Sequence, residues 1–414
     1  MGILYVDGTL TIGGVPVNEI AETFGTPLYI YDESSMRESF LNLRGAFTYN
    51  RFEVLYAAKA NSNIHILKVF KDLGAGLDAV SPYEVLVGRM ASFPPESILF
   101  TGNSVSDDDM RAVAKAGALI NVESMSQLRR YAALFGNGKI SLRLNLGYGG
   151  GYHSYLVTGG KTKFGLSLWE VNEALKFARD RGIEVIGLHT HMGSGITDWK
   201  LYQNALLELL KIAERIEEIE FVDVGGGFAI SYRGSDPSLD ILSLGKSLSG
   251  VMEKYRDSTG KELKLLVEPG RYLVASSGIL IARVTDIKKV ESSDESTHFI
   301  GVDTGMGHLI RPALYGAYHE IVPVKLAKDA AEIEAHIVGN YCESGDVLAH
   351  GRKIQVVKEG DLIALLDAGA YGYSMSSNYN LRPRPAEVIV RDNGKVELIR
   401  KRETLEDLVR GMFI

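Results

Sequence analysis

A regular alternation of short apolar strands with helical stretches is the feature that most constrains the fold of this chain. The predicted strands are residues 53–58, 76–80, 98–100, 119–122, 140–146, 184–189, 221–224 and 263–267. Each is apolar throughout rather than alternating, which is typical of parallel strands buried on both faces. Eight strand–helix units in roughly 220 residues predict an α/β fold with a closed, eight-stranded β/α (TIM-like) barrel. A doubly wound open sheet is the alternative, because it is built from the same units.

The segments on either side of these strands have a different pattern. After the eighth strand, short strands and turns follow one another up to a hairpin at residues 387–399. Residues 3–12 also predict a hairpin, which should join the C-terminal strands because an isolated hairpin is barely stable. We therefore expect a barrel over residues 32–271 and a mainly β C-terminal domain formed by residues 1–31 and 272–414.

The composition excludes several classes of protein. The chain has 414 residues and a net charge of −7, so a basic surface for nucleic acid is not indicated. No apolar run approaches the ~18 residues of a membrane span, and the N-terminus lacks the features of a secretory signal. A single cysteine, Cys342, fits a reducing compartment. These features predict a cytoplasmic protein without nucleic-acid or membrane partners.

Polar or glycine-rich motifs follow four of the predicted barrel strands. In a β/α barrel, functional groups lie at the carboxyl ends of the strands, so these motifs should share one rim. They are Lys59 after the first strand, His189-Thr190-His191-Met192-Gly193-Ser194-Gly195 at the sixth, Gly225-Gly226-Gly227 after the seventh, and Glu268-Pro269-Gly270-Arg271 after the eighth. We therefore predict a functional site at this rim.

Each motif also has a purely structural interpretation. Lys59 could be a surface residue, and the three glycines could form only a tight turn. His189 and His191 share one face of a strand, but no cysteine or carboxylate lies near them in sequence as a third ligand, so we predict no metal. A role in the core suits His189 better than His191. Glu268 needs a positive partner, for which Arg271 is the alternative to a protonated heterocycle.

Together the motifs supply an amine, an anion cradle, a flat ring for stacking and a carboxylate. Three glycines allow backbone N–H groups to approach a phosphate, and Ser194 adds a hydroxyl. The amine of Lys59 can form an imine with an aldehyde, whereas Glu268 can keep a pyridine nitrogen protonated. Since pyridoxal 5'-phosphate needs these four groups, we predict it as the cofactor.

An ordered set of motifs extends over nearly the whole chain. The set is Tyr56-Ala57-Ala58-Lys59-Ala60-Asn61, His191-Met192-Gly193-Ser194, Gly225-Gly226-Gly227, Glu268-Pro269-Gly270-Arg271, Arg311-Pro312-Ala313-Leu314-Tyr315, Cys342-Glu343-Ser344-Gly345-Asp346, Gly369-Ala370-Tyr371-Gly372, Asn378-Tyr379-Asn380 and Arg382-Pro383-Arg384-Pro385-Ala386-Glu387-Val388. Each motif is weak alone, but in this order the chain resembles the fold-type III pyridoxal-phosphate decarboxylases, and among them the diaminopimelate decarboxylases. The resemblance implies removal of carbon dioxide from meso-2,6-diaminopimelate, with L-lysine as the product.

The resemblance also implies a role for each site residue. Lys59 would bind the cofactor covalently, His191 would stack on its ring, and Cys342 would act in the site of a second subunit by donating a proton. The cofactor-binding residues would be Lys59, Asp78, His191, Ser194, Gly226, Gly227, Glu268, Gly270, Arg271 and Tyr371. The substrate-binding residues would be Arg271, Arg311, Tyr315, Glu343 and Tyr371. Glu343 would bind the distal ammonium group, and a homodimer would share its active sites.

Two further features have more than one interpretation. Cys342 is either an inert buried cysteine or, next to Glu343, a thiol kept protonated by like-charge repulsion and therefore suited to donating a proton. The connection over residues 147–165 is long and glycine-rich, and loops of this kind are either functional lids or disordered segments.

Several positions depart from the usual diaminopimelate decarboxylase pattern. Gly307-His308 replaces an expected Asn-Asp, Ser104-Val105-Ser106 lacks a lysine, and Gly195 lies where glutamine is usual. A decarboxylase of lysine, ornithine or a carrier-bound amino acid is therefore a second hypothesis, and a cofactor-holding protein without turnover is a third. Arg311 and Glu343 together favour diaminopimelate, because its second amino-acid head requires both a cation and an anion.

Overall fold

The chain divides into two compact units in a computed structural model that describes residues 2–151, 153–291, 296–328 and 330–412. The first unit comprises Met1–Glu38, Tyr232–Asp236 and Val274–Ile414, and the second comprises Ser39–Ser231 and Pro237–Leu273. Over the described residues, no helix combines the length and the apolar character needed to cross a bilayer.

The second unit is built on a closed barrel of eight parallel strands. In chain order these are Phe52–Ala57, Gly76–Ala79, Ile98–Phe100, Leu119–Val122, Gly138–Asn145, Ile183–His189, Phe221–Asp223 and Lys264–Val267. Each strand pairs in parallel with the next, and the eighth pairs with the first, where Val267 lies opposite Val54. The ring is therefore complete. The predicted barrel is confirmed, and the open doubly wound sheet is wrong.

Helices alternate with the barrel strands. They are Ile64–Asp72, Pro82–Met90, Asp107–Ala116, Met125–Phe135, Val171–Asp180, Trp199–Ala213 and Ile241–Thr259. Several begin after a polar residue whose side chain accepts a backbone N–H of the first turn, as Ser106 and Asp198 do. Most of these helices also bury several apolar side chains, as Trp199–Ala213 does with Leu206, Leu209 and Leu210. The strands are thus removed from water, and their carboxyl ends carry the polar connections.

The first unit is mainly β. Its large sheet contains Leu28–Asp32, Gly278–Glu291, Ser296–Val302, Ile321–Pro323, Glu332–Val338, Val347–Gln355, Leu362–Leu365, Ala386–Val390 and Val396–Arg400. The N-terminal strand Leu28–Asp32 lies between Gly278–Glu291 and Ala386–Val390. Its buried residues Leu28 and Ile30 join an apolar cluster with the neighbouring strands. The short helices are Val17–Phe24, Arg311–Tyr315 and Leu405–Val409, and two further helices, Glu33–Ala46 and Arg271–Val274, each begin in one unit and end in the other.

The predicted N-terminal hairpin is confirmed. Its strands are Ile3–Val6 and Thr9–Ile12, and the turn residues Asp7 and Gly8 have φ angles of 48° and 75°, as a tight primed turn requires. With Val15–Pro16 the hairpin forms a separate three-stranded sheet.

Between the barrel and the last hairpin, the sequence predicts strands at residues 278–284, 298–302, 321–326, 334–338 and 361–367. The strand Val347–Gln355 of the first unit is not among them. Gly351 and exposed polar residues interrupt its apolar pattern. The strand exists because it pairs with Glu332–Val338, and that pairing is a long-range contact that a local pattern does not contain.

Candidate active site

Lys59 lies directly after the first barrel strand, in a single 3₁₀ turn, Ala58–Ala60. Its Nζ donates to Asp78 Oδ2 at 2.9 Å, and Asp78 lies on the second strand, opposite Ala57. The Asp78 side chain is fully buried, whereas that of Lys59 is 34% exposed. Burial and the charge of Glu268 raise the pKa of Asp78, although the Lys59 ammonium opposes that rise. The barrel therefore holds this amine against a buried carboxyl group.

Glu268 follows the eighth strand and is buried. Its Oε2 lies 3.1 Å from His189 Nε2, which donates to it. Burial by itself would raise the pKa of Glu268, but the charge and hydrogen bond of His189, with a contribution from Lys59, lower it to about 2. Among the described residues, Glu268 Oε1 is a buried oxygen with no hydrogen-bond partner. The carboxylate is thus ionised, with one oxygen held and the other available.

Arg271 begins the helix Arg271–Val274, directly after Gly270. Its Nη2 donates to Ser194 Oγ at 3.1 Å. For Glu268, the structure shows His189 as a hydrogen-bond partner. Arg271 links the end of the eighth strand to the segment after the sixth.

The two residues His189 and Asp223 were missed as site residues. His189 was expected in the core, and it is indeed buried, but it holds Glu268. Asp223 ends the seventh strand, and its Oδ1 accepts the backbone N–H of Gly225 at 2.7 Å. One ligand atom from each of His189, Asp223 and Glu268 lies within 4.8 Å of the others. A carboxylate as the last residue of an apolar strand was the available signal for Asp223.

The backbone of the glycine turn, Gly225 to Gly227, lies unusually close to the backbone of Glu268 and of Gly193. Gly225 and Gly227 have φ angles of 73° and 90°, which favour glycine. A Cβ on Gly226 would lie 1.9 Å from the carbonyl oxygen of Glu268, and one on Gly227 would lie 2.1 Å from that of Gly193. The turn therefore presents bare backbone beside Glu268.

His191 lies in the segment that follows the sixth strand. Its Nδ1 accepts the backbone N–H of Gly226 at 3.1 Å, so the ring proton is on Nε2. Burial, followed by the positive charges of Lys59 and Arg143, lowers the pKa of His191 well below its ordinary value. His191 is therefore a neutral ring in a fixed orientation, next to the glycine turn.

The glycine-rich segment over residues 147–165, described except for residue 152, is tied to the same part of the barrel. Gly150–Gly151 pairs in parallel with Gly193–Ser194. Thr158 Oγ1 donates to the carbonyl of His191 at 2.5 Å. The segment therefore contacts the residues on both sides of Met192.

Arg311 belongs to the first unit and is 1% exposed. Its Nη1 donates to His319 Nε2 at 2.8 Å, and its guanidinium carbon lies 4.8 Å from the centroid of the Tyr232 ring. His319 Nδ1 donates to the carbonyl of Leu366 at 2.8 Å, which fixes the tautomer that can accept from Arg311. A side-chain and backbone network thus holds this guanidinium in one orientation.

The other predicted residues of the first unit are more accessible. Cys342 and Glu343 are exposed, so the alternative of a buried cysteine is wrong. The backbone N–H of Cys342 donates to Asn380 Oδ1 at 2.7 Å. Tyr315, at the end of its helix, and Tyr371 are half-buried. Tyr371 has a φ angle of 57°, a costly conformation for a residue with a Cβ and one that often occurs at functional sites.

Both the sequence and the fold of this chain are similar to those of known proteins. Residues 33–275 match a family model described as pyridoxal-dependent decarboxylase, pyridoxal binding domain. A protein from Methanothermobacter thermautotrophicus named diaminopimelate decarboxylase is 42% identical, over 98% of this chain and 96% of the relative. A protein of the same name from Aquifex aeolicus is 39% identical, over 98% and 96%. The crystal structure of diaminopimelate decarboxylase from M. jannaschii in complex with L-lysine has a TM-score of 0.90 and 33% identity, over 100% of this chain and 98% of that one.

Proposed function

Because the chain belongs to the pyridoxal-dependent decarboxylases, and among them to the diaminopimelate decarboxylases, we propose that it converts meso-2,6-diaminopimelate to L-lysine and carbon dioxide. The observation that carries the proposal is the placement of Lys59 and Glu268. They follow the first and eighth strands, which are adjacent in the barrel. They supply an amine and a buried carboxylate, one oxygen of which has no hydrogen-bond partner among the described residues. The L-lysine bound to the M. jannaschii relative supports the choice of product.

The residues at this rim fit pyridoxal phosphate. The buried Glu268 Oε1 has no hydrogen-bond partner among the described residues and suits a protonated ring nitrogen, while the glycine turn offers backbone without side chains to a phosphate. When bound, the cofactor supplies a carbonyl carbon that reacts with amines and a protonated ring that takes up the electron pair freed as carbon dioxide leaves.

The residues of the chain would orient the cofactor and keep its ring nitrogen protonated. We assign its binding to Lys59, Asp78, His191, Ser194, Gly226, Gly227, Glu268, Gly270, Arg271 and Tyr371. Lys59 would bind it covalently through Nζ. The neutral ring of His191 would stack on the cofactor without adding a charge, and the ionised Glu268 would keep the ring nitrogen protonated.

Substrate selection depends on the distal end of diaminopimelate, which carries a carboxylate and an ammonium group. Arg271, Arg311 and Tyr315 bind the carboxylate, and Glu343 binds the ammonium, with Tyr371 beside them. The network around Arg311 supports this assignment, because a guanidinium that is already oriented loses little entropy when it binds a carboxylate.

The proposal includes a homodimer with shared active sites. Cys342 of the partner subunit donates its thiol proton to the carbon that carbon dioxide has left. The exposure of Cys342 and Glu343 on the single chain supports this, because a second copy could cover them. A reducing cytoplasm would keep that thiol free.

The test is the release of carbon dioxide from meso-diaminopimelate, lysine, ornithine and arginine at equal concentration, with pyridoxal phosphate present. We expect kcat/KM for meso-diaminopimelate to exceed the others by ~100-fold or more, because a site that pairs with a polar group rejects ligands lacking it. A preference for a substrate with one carboxylate would assign the chain to a related decarboxylase. Bound cofactor without release from any of the four would indicate a protein that holds the cofactor without turnover.

A further inference from the structure

His189 and Asp223 have no role in the reaction described above, yet both lie against Glu268. We propose that they are positioning residues of the site. His189 holds one oxygen of Glu268, and Asp223, carrying a proton, joins the same carboxylate to the glycine turn. The inference rests on the proposed function only for the nature of the ring that Glu268 binds.

His189 holds Glu268 from inside the barrel. The two side chains are 0% and 2% exposed, and Nε2 of His189 donates to Oε2 of Glu268 at 3.1 Å. His189 Nδ1 is buried and lacks a hydrogen-bond partner within the described part of the chain. His189 is thus anchored through Nε2, which carries the proton of this hydrogen bond because an ionised carboxylate can only accept. The hydrogen bond fixes Oε2 and leaves Oε1 for the cofactor.

Asp223 connects Glu268 with the glycine turn. Its Oδ1 accepts from the backbone N–H of Gly225 at 2.7 Å, and a second oxygen, Oδ2, is buried with no hydrogen-bond partner among the described residues. A ligand atom of Asp223 lies within 4.8 Å of one from Glu268. The proposed contacts to the ring nitrogen and to the phosphate are thus connected through one carboxyl group.

The proton belongs on Asp223 rather than on Glu268. Two ionised carboxylates this close, both fully buried, would repel each other strongly. Glu268 accepts a hydrogen bond from the side chain of His189, whereas the donor to Asp223 Oδ1 is the uncharged backbone N–H of Gly225. Burial and the charge of Glu268 raise the pKa of Asp223 well above its ordinary value. A protonated Asp223 also removes a second negative charge that would compete for the ring nitrogen.

Replacing Asp223 by asparagine and by alanine distinguishes a protonated carboxyl group at this position from an ionised one. Asparagine has the shape of a protonated carboxyl group, and its oxygen can still accept from Gly225. We expect Asp223→Ala to weaken binding of pyridoxal phosphate by about tenfold or more, because a buried N–H loses its acceptor. We expect Asp223→Asn to restore binding to within about threefold of the wild type. The measurement is the visible absorbance of dialysed protein titrated with the cofactor, and Asp198→Ala, at an exposed helix N-terminus, is the matched control.

If Asp223→Ala does not fold, the wild type and Asp223→Asn decide the question alone. Suppose that the asparagine variant unfolds at the wild-type temperature but binds the cofactor at least tenfold more weakly. That result would show that Asp223 acts through a charge and would overturn the proposal.

A double-mutant cycle tests whether His189 acts through Glu268. We expect His189→Phe to weaken cofactor binding and change the visible spectrum in the wild-type background. In the Glu268→Gln background the same substitution should add less than about twofold, since the residue it positions is already altered. Fully additive effects would overturn the role of His189. Cofactor binding needs no substrate, so failure of the decarboxylation assay alone would count only against the proposed function, whereas wild-type protein that binds no cofactor would overturn both.

Discussion

Replacing Gly226 by alanine is the perturbation whose consequence follows most directly from the structure. The added Cβ would lie 1.9 Å from the Glu268 carbonyl oxygen, so the two backbone segments would have to separate by more than 1 Å to reach an observed contact distance. That movement would weaken the bonds from Gly226 N to His191 Nδ1, at 3.1 Å, and from Tyr202 Oη to Gly226 O, at 2.9 Å. Overpacking costs ~1–3 kcal/mol and each hydrogen bond ~1 kcal/mol, so we expect a loss of ~3–5 kcal/mol in the free energy of unfolding.

Urea unfolding followed by tryptophan fluorescence measures this loss, and visible absorbance measures the accompanying release of pyridoxal phosphate. The matched control is Gly250→Ala in the helix Ile241–Thr259, where an added Cβ meets nothing within 4 Å. We expect that control to unfold at the same or a higher urea concentration, because alanine favours a helix by up to ~1 kcal/mol over glycine. A Gly226→Ala protein that unfolds like the wild type and retains the cofactor would refute the reasoning.

Four further predictions concern the lysine, the cysteine, the substrate arginine and one buried histidine. Mixing Lys59→Ala with Cys342→Ala subunits, each nearly inactive alone, should restore about a quarter of wild-type turnover, because mixed dimers contain one intact site; no recovery would contradict shared sites. In the same Lys59→Ala protein, mass spectrometry after borohydride reduction should find no covalent cofactor, and near-normal turnover would contradict its role. Arg311→Met should raise KM for meso-diaminopimelate by about 10–100-fold with a smaller change in kcat, since a charge-assisted contact is lost; an unchanged KM in a normally folded variant would exclude Arg311 from the substrate site. Burial lowers the pKa of His308 to about 4, so the unfolded chain binds the proton first and the free energy of unfolding should fall by up to ~3 kcal/mol between pH 6.5 and 4. His308→Gln should flatten that part of the profile in denaturant titrations, and an unchanged slope would contradict the assignment.

The barrel was predictable because its strands are buried on both faces. Burial on both faces requires apolar residues at every position, so a short run such as Ile98–Phe100 carries its own signal. The strand Val347–Gln355 has no such signal, because several of its residues are exposed and its place in the sheet depends on a partner strand. Local pattern therefore predicted the enclosed strands and missed this exposed one.

The sequence predicted several residues of the candidate site but not which of them form hydrogen bonds with one another. Lys59 and Glu268 stood out because a charged side chain at the end of an apolar strand is costly without a purpose. The sequence neighbour Arg271 was the obvious partner for Glu268, yet the hydrogen bond comes from His189, 79 positions away. The same long-range contact gives the two buried carboxyl groups, Asp223 and Glu268, different protonation.

The amino-acid sequence by itself determined that the chain forms a β/α barrel and which rim of that barrel holds an amine, a glycine turn and a carboxylate. Periodicity and strand ends are local properties, and neighbouring residues are enough to specify them. Only the tertiary structure decided which groups neutralise, orient or protonate one another. A hydrogen bond acts over about 3 Å, and closing the barrel brings the ends of the sixth, seventh and eighth strands to that range, so the chemical state of Glu268 is set by residues that are distant along the chain.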